Sequence, residues 1–177
     1  MIKPFAQSQV KKLDLPSGGE KGVISFGVSS YGYDMRIGHK FQILQNQIET
    51  EVDPKNIDPA LYKTVTVEDY LVLPPHTLAL GQTIEYFKIP RDILTIAFGK
   101  STYARVGVHV NITPFEPEWE GFATLAISNL SNAPVRIYAG EGIGQLIFLQ
   151  ADEVCAVSYS DRKGKYQAQK SITTAKV

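Results

Sequence analysis

The sequence predicts one mainly β domain of barrel or sandwich type with a few short helices. Short runs rich in β-branched and aromatic residues recur along the chain, separated by Gly, Pro, Asn or Asp, which is the pattern of strands joined by turns. The length of 177 residues suits one domain. No repeat, linker or low-complexity tract marks a second one, so we expect the domain to span residues 1–177.

Ten strands are expected, in chain order: Val23–Val28, Lys40–Leu44, Tyr70–Leu73, Thr77–Tyr86, Leu94–Phe98, Val108–Ile112, Phe122–Ser128, Val135–Tyr138, Ile143–Leu149 and Val154–Val157. Only two brief stretches, Phe5–Lys12 and Asp58–Tyr62, hint at helix. The strand Phe122–Ser128 has two different faces. Its two-residue period places Ala123, Leu125 and Ile127 together, and this row is expected to face the core. The other row is Phe122, Thr124, Ala126 and Ser128. The short side chains of Thr124, Ala126 and Ser128 leave room for a ligand beside the strand.

A loop that suits an anion follows the strand at Leu94–Phe98. Gly99 allows a sharp turn, after which Lys100, Ser101, Thr102 and Arg105 offer two cations and two hydroxyls beside backbone N–H groups. If Ser101 caps a short helical turn, the free amides and the Arg105 guanidinium converge on one spot that suits a phosphate chain. The same spacing also fits a surface turn with two solvated cations.

An acidic turn at residues 114–121 precedes the strand with two faces. Two prolines restrict its backbone, and Trp119 can anchor it. A rigid loop of this kind would present Glu116 or Glu118 to a ligand. Carboxylates that only keep a surface turn soluble would give the same pattern.

Composition excludes several classes of function. Eighteen basic and eighteen acidic side chains give a formal net charge of zero, which argues against nucleic-acid and membrane-surface partners. The single cysteine, Cys155, excludes an internal disulfide and fits a reducing, cytoplasmic setting. His39, His76 and His109 lack ligand spacing, and the zinc-deaminase signature is absent, so no zinc is expected.

Several segments, in order along the chain, resemble the bacterial dCTP deaminases of the dUTPase superfamily. They are SSYGYDMR at Ser29–Arg36, VDPKN at Val52–Asn56, EYFKIP at Glu85–Pro90, KSTYAR at Lys100–Arg105, TPFEPEWEG at Thr113–Gly121 and DRKGKYQAQ at Asp161–Gln169. The resemblance implies a distorted β-barrel, a jelly-roll-like fold of the dUTPase type. It also implies a homotrimer with active sites at subunit interfaces, and Mg²⁺ bound with the nucleotide triphosphate.

The activity that the resemblance implies is the hydrolysis of dCTP to dUTP and ammonia. It assigns nucleotide contacts to Lys100, Ser101, Thr102, Tyr103, Ala104, Arg105, Glu116, Thr124, Leu125, Ala126, Gln145, Tyr159, Lys165 and Gln169. Catalytic positions would be Ser101, Arg105 and the position of Ala126. Tyr159, Lys165 and Gln169 would close over the phosphates, although by themselves they also fit a solvated C-terminal arm. Gln145 alone would be an ordinary strand-edge residue. Asp34 and Arg36 are expected to form a structural pair.

One departure from the family pattern matters most. The family has the pattern T-L-E where this chain reads Thr124-Leu125-Ala126, and that glutamate accepts a proton from the attacking water and passes it to the base. Its loss costs roughly 10² to 10⁴ in rate. We therefore expect a folded, nucleotide-binding chain with little or no deaminase activity. An engineered substitution is favoured because the surrounding motifs are intact; a natural member that lost its chemistry is the alternative.

Two other functions stay open at this point. A dUTP pyrophosphatase, or a bifunctional enzyme that forms dUMP, would share the fold, but the usual glycine-rich C-terminal motif is replaced here by RKGKYQAQK. A non-catalytic regulator would bind dCTP or dTTP with Ala126 as its natural residue, and dTTP is also a candidate inhibitor. Family members commonly carry an extra segment before the stretch that matches Met1–Phe5.

Overall fold

The computed structural model describes residues 1–45 and 51–177, and within these ranges nearly all of the regular secondary structure is strand. The strands are β1 Ile2–Lys3, β2 Val10–Asp14, β3 Glu20–Val28, β4 Gly32–Leu44, β5 Tyr62–Thr66, β6 Tyr70–Leu73, β7 Leu78–Lys88, β8 Ile93–Gly99, β9 Val108–Asn111, β10 Glu120–Asn129, β11 Val135–Tyr138 and β12 Gly142–Gln150. The helices are a 3₁₀ turn at Pro59–Leu61 and α1 at Ser101–Ala104. Neither helix is long and apolar enough to cross a membrane, and the described residues contain no other candidate.

The strands pair antiparallel, and most of them belong to one branched sheet. Its main path runs β2-β3-β4-β7-β10-β9, while β12 joins β4 to β8, β1 joins β7 and β5 joins β4. The remaining pair, β6 and β11, forms a separate ribbon. Because β4 pairs with four strands and shifts register between Ile37 and Phe41, the sheet departs from a simple flat ladder. The predicted mainly β, distorted fold with few helices is confirmed.

Strand β10 lies between β7 and β9, so both of its edges are paired. Buried and partly exposed residues alternate along its whole length. Ala123, Leu125 and Ile127 are buried among the other core side chains, as the two-residue period predicts. The opposite row, including Thr124 and Ala126, therefore faces away from the core.

Two sequence predictions of secondary structure are wrong. The segment Phe5–Lys12 is not helical, because its end forms β2, where Val10 pairs with Phe26 of β3. Val154–Val157 is not a strand. Its carbonyl groups are taken instead by the Arg91 guanidinium, which donates to the main-chain oxygens of Cys155 and Ala156 at 3.2 Å. The predicted helix at Asp58–Tyr62 exists as the 3₁₀ turn, with the Asp58 side chain accepting from the amide of Ala60.

Candidate active site

A cleft of about 350 Å³ lies over the side of β10 that faces away from the core. Five of the fourteen predicted site residues line it, and the elements that supply them are distant in sequence: Glu116, Thr124, Ala126, Tyr159 and Gln169. Strand β10 supplies two of them because alternate residues of a strand share a face. The acidic turn and the C-terminal arm supply the rest.

The row across the sheet at Ala126 gives the cleft its floor. Ala126 lies opposite Asn111 of β9 and opposite Leu80 of β7. Directly paired residues of an antiparallel ladder share one face, and all three side chains line the cleft. Asn111 was not among the predicted site residues. The alternation in Val108–Asn111 could have placed it on an outward face, but its pairing with Ala126 is a long-range contact that sequence periodicity does not reveal.

The acidic turn is anchored as its tryptophan predicts. The rings of Phe115 and Trp119 are both buried, with centroids 4.6 Å apart, and the Trp119 indole donates to the main-chain oxygen of Tyr166 at 2.9 Å. The two carboxylates diverge. Glu116 lines the cleft and forms an ion pair with Arg162, whereas Glu118 turns away to Arg91, 2.8 Å distant.

The C-terminal arm packs on the start of β10. Gln169 forms a parallel bridge with Gly121, and the amide of Phe122 donates to its main-chain oxygen at 3.0 Å. Gly121 has φ of 144°, and a Cβ there would lie 2.7 Å from the Gln169 nitrogen, so the close approach requires glycine. The Thr124 hydroxyl donates to Gln169 Oε1 at 2.9 Å and accepts from the amide of Thr173 at 3.0 Å. The arm therefore forms one wall of the cleft.

Tyr159 and Lys165 have different positions in this arm. The Tyr159 hydroxyl accepts from the amide of Tyr166 at 3.0 Å, and its ring borders the cleft. The Lys165 ammonium instead donates to the main-chain oxygen of Lys176 and does not line the cleft. In the described part of the chain, the arm thus brings two of its three predicted residues, Tyr159 and Gln169, to the site.

The predicted anion loop lies outside this cleft. Lys100, rather than Ser101, occupies the N-cap position of α1, and it makes no side-chain cap bond, so the conditional prediction of a Ser101 cap is wrong. Lys100 instead extends inward, where its ammonium lies 2.5 Å from Asp34 Oδ2. Arg105 is exposed, donates to the Ser101 carbonyl at 3.1 Å, and pairs with no carboxylate among the described residues. Its positive charge is therefore available to a ligand.

Of the other residues predicted to contact the nucleotide, some are buried and others are exposed. The Tyr103 side chain is in the core, where its hydroxyl accepts from the amide of Tyr138 at 2.9 Å and burial raises the pKa of the phenol. Leu125 is fully buried on the core side of β10. Gln145 lies on β12 and donates to Ser29 Oγ at 3.1 Å. Thr102 and Ala104 are exposed on α1.

Asp34 and Arg36 do not form the predicted pair with each other. Asp34 bonds to Lys100, and Arg36 Nε lies 2.7 Å from Glu85 Oε1, a carboxylate that is fully buried. Each side chain takes its partner from another element instead: Lys100 follows the end of β8, and Glu85 lies on β7. Both residues still serve structural ion pairs.

The cleft contains few charged groups. Among the described residues that line it, Glu116 is the single ionisable carboxylate and there is no Lys or Arg. Groups of three or more His, Cys, Asp or Glu side chains that could hold a metal are absent from residues 1–45 and 51–177. Apart from the Glu116 carboxylate, the described residues of one chain thus give this cleft apolar contacts and neutral hydrogen-bonding groups.

A solved structure shares the fold. The crystal structure of 2′-deoxycytidine 5′-triphosphate deaminase from Agrobacterium tumefaciens superposes with a TM-score of 0.52 at 18% sequence identity. The match covers 68% of this chain and 39% of that one, so the aligned part is well under half of that protein.

Sequence comparison gives a closer relationship. A protein named dCTP deaminase from Neisseria meningitidis serogroup C is 51% identical to this chain over 176 residues. A protein of the same name from Acidovorax sp. strain JS42 is 53% identical to it over 177 residues. Each match covers 99% of this chain and 90% of the relative. The family model described as dCTP deaminase-like matches residues 1–151. This chain belongs to the dCTP deaminase-like family.

Proposed function

We propose that this chain is a dCTP deaminase scaffold that binds a pyrimidine deoxynucleoside triphosphate beside Ala126 and deaminates it weakly or not at all. The observation that carries the proposal is the position of Ala126 on the floor of the cleft, between Asn111 and Leu80. A glutamate at this position would project into the cleft. The methyl group of alanine has no proton to accept or donate.

The reaction needs a group that takes a proton from water as it attacks C4 and then delivers it to the departing ammonia. Glu116 is the one carboxylate among the described lining residues, but it lies on the acidic turn rather than in the row at Ala126, and its Oε2 accepts from Arg162. Thr124 and Gln169 bond to each other and are not bases. The remaining contribution of the cleft is to bind and orient the nucleotide.

The phosphates require positive charge from outside this cleft. A triphosphate bound beside Ala126 would meet no Lys or Arg among the described lining residues of the same chain. We propose that a second copy supplies Arg105 and the main chain of Lys100–Arg105, in a homotrimer with sites between subunits. Mg²⁺ would bind through phosphate oxygens, as is common for this ion.

An apolar surface next to the anion loop supports this assembly. Strands β8 and β12 pair so that Leu94 faces Leu149 and Ile96 faces Ile147, and Phe98 lies on the same face. Leu94, Phe98 and Leu149 are exposed, with Phe98 at 53%. Because β8 ends at Gly99, a subunit that covered this surface would also approach the loop.

Restoring the carboxylate tests the proposal. The variant Ala126→Glu and the parent are incubated with dCTP and Mg²⁺ while ammonia, dUTP and pyrophosphate are measured separately. We expect the variant to release ammonia about 10² to 10⁴ times faster than the parent. Ser128→Glu is the matched control, because Ser128 lies on the same face of β10 but outside the cleft.

The same assay distinguishes the other candidates. Release of pyrophosphate by the parent would favour a dUTP pyrophosphatase or a bifunctional enzyme. If Ala126→Glu binds dCTP but gives no turnover, a non-catalytic regulator becomes the better description. If the parent binds no pyrimidine triphosphate at all, the proposed nucleotide site is wrong.

A further inference from the structure

The polar group next to Ala126 in the sheet is the carboxamide of Asn111. Asn111 ends β9, an outer strand of the sheet, and pairs directly with Ala126. The Cβ atoms of such a pair are about 5 Å apart. On its other side, Ala126 pairs with Leu80, which is apolar and 9% exposed. A ligand ring lying over Ala126 would therefore meet Asn111 on one side and hydrocarbon on the other.

Most of the other polar groups of the cleft are already engaged. The Thr124 hydroxyl bonds to Gln169 and Thr173, and the Tyr159 and Tyr166 hydroxyls accept from main-chain amides of the arm. The Asn111 side chain makes no hydrogen bond to any described residue. It lines the cleft, is exposed, and retains two N–H donors and a carbonyl acceptor for a ligand.

We propose that Asn111 is a specificity-determining residue that reads the pyrimidine edge at C4. This assignment rests on the proposed nucleotide site. A cytosine presents an amino donor at C4 and an acceptor at N3, whereas a uracil presents the reverse. A carboxamide satisfies either arrangement by rotating through about half a turn. With Ala126 beside it, no fixed negative charge in that row favours the amino group over the carbonyl, so cytosine and uracil nucleotides bind with similar affinity.

Binding of dCTP and dUTP, each with Mg²⁺, tests the assignment. Trp119 is the single tryptophan of the chain and lines the cleft, so its fluorescence gives a titration signal. We expect the two Kd values of the parent to agree within about threefold. Asn111→Asp should favour dCTP over dUTP by about tenfold or more, because a carboxylate accepts from the amino group and repels the carbonyl oxygen. Asn111→Leu should weaken both by about tenfold.

His109 provides the matched control. It lies two residues earlier on β9, is exposed on the same face, pairs with Ser128, and does not line the cleft. His109→Asp adds the same charge to the strand and should leave the ratio of the two Kd values within about twofold of the parent.

Three results would overturn the assignment. One is a parent that already discriminates by more than about tenfold, and another is an Asn111→Asp ratio equal to that of His109→Asp. In both cases the nucleotide site itself stands, since binding is observed. The third is a parent that binds neither nucleotide, which overturns the proposed function and this assignment together. Circular dichroism of each variant confirms that the strand is folded.

Discussion

The buried pair between Lys100 and Asp34 gives a sharp test of how the anion loop is held. Asp34 is 2% exposed and the Lys100 side chain is 12% exposed, with 2.5 Å between Nζ and Oδ2. Gln9 adds one longer contact to the same oxygen at 3.3 Å, while Asp34 Oδ1 has no hydrogen-bond partner among the described residues. Among the described residues, Lys100 is thus the one cation that pairs with this carboxylate, which has almost no access to water.

Replacing Lys100 by Met removes that compensation. A buried ion pair that loses one partner typically costs about 3–5 kcal/mol, because the remaining charge stays desolvated. The free energy of unfolding, measured with urea at one fixed protein concentration, should fall by that amount. In the double variant Lys100→Met with Asp34→Asn, both charges are absent. We expect it to be more stable than Lys100→Met alone, since no uncompensated charge remains.

An exposed pair in the same protein is the control. Lys12 and Glu20 approach to 2.6 Å, but their side chains are 65% and 54% exposed. Lys12→Met should change stability by no more than about 1 kcal/mol. If Lys100→Met costs as little as Lys12→Met, the inward pair does not anchor the loop, and Lys100 is free to contact phosphate directly.

Two further predictions concern burial. Burial raises the pKa of Tyr103, so unfolded chains lose this proton first and stability falls as pH rises above about 10. In Tyr103→Phe, the free energy of unfolding measured with urea at several pH values should fall less steeply at alkaline pH than in the parent. At neutral pH the variant should be less stable by about 1 kcal/mol, because it loses the hydrogen bond from the Tyr138 amide. An equally steep alkaline fall would contradict the prediction. Phe98→Asp should dissociate the proposed trimer, which sedimentation would show as a lower molecular mass. Val72 is 50% exposed on β6, away from this surface, and Val72→Asp should leave the mass unchanged. An unchanged mass for Phe98→Asp would count against an interface at β8 and β12.

The sequence predicted best what depends on local alternation. Strands β6 and β11 have the predicted bounds, and the two faces of β10 separate as the two-residue period requires. Strand β2 was missed because Val10–Asp14 carries two lysines and an aspartate, and its pairing with β3 overrides that polar pattern.

Long-range partners were beyond the reach of the sequence. The pairing of Asn111 with Ala126 depends on which strands become neighbours, and the pairing of Lys100 with Asp34 joins residues 66 positions apart. The docking of Gln169 on Gly121 likewise depends on a close main-chain approach. Motif resemblance supplied the cleft residues of the arm, but no local pattern showed that the Lys100 side chain points inward.

In the proposed function, the position of Ala126 allows the chemistry to change without the fold. Its neighbours in the chain, Leu125 and Ile127, are fully buried, whereas Ala126 faces the cleft. A glutamate at this position would therefore face the cleft and not the core. Exchanging alanine and glutamate at position 126 adds or removes a proton-transfer group, while the buried row of β10 stays unchanged. The family model matches residues 1–151 of the chain with alanine at this position. In the proposed function, catalysis depends on one outward side chain, so activity has to be measured at that position rather than inferred from the fold.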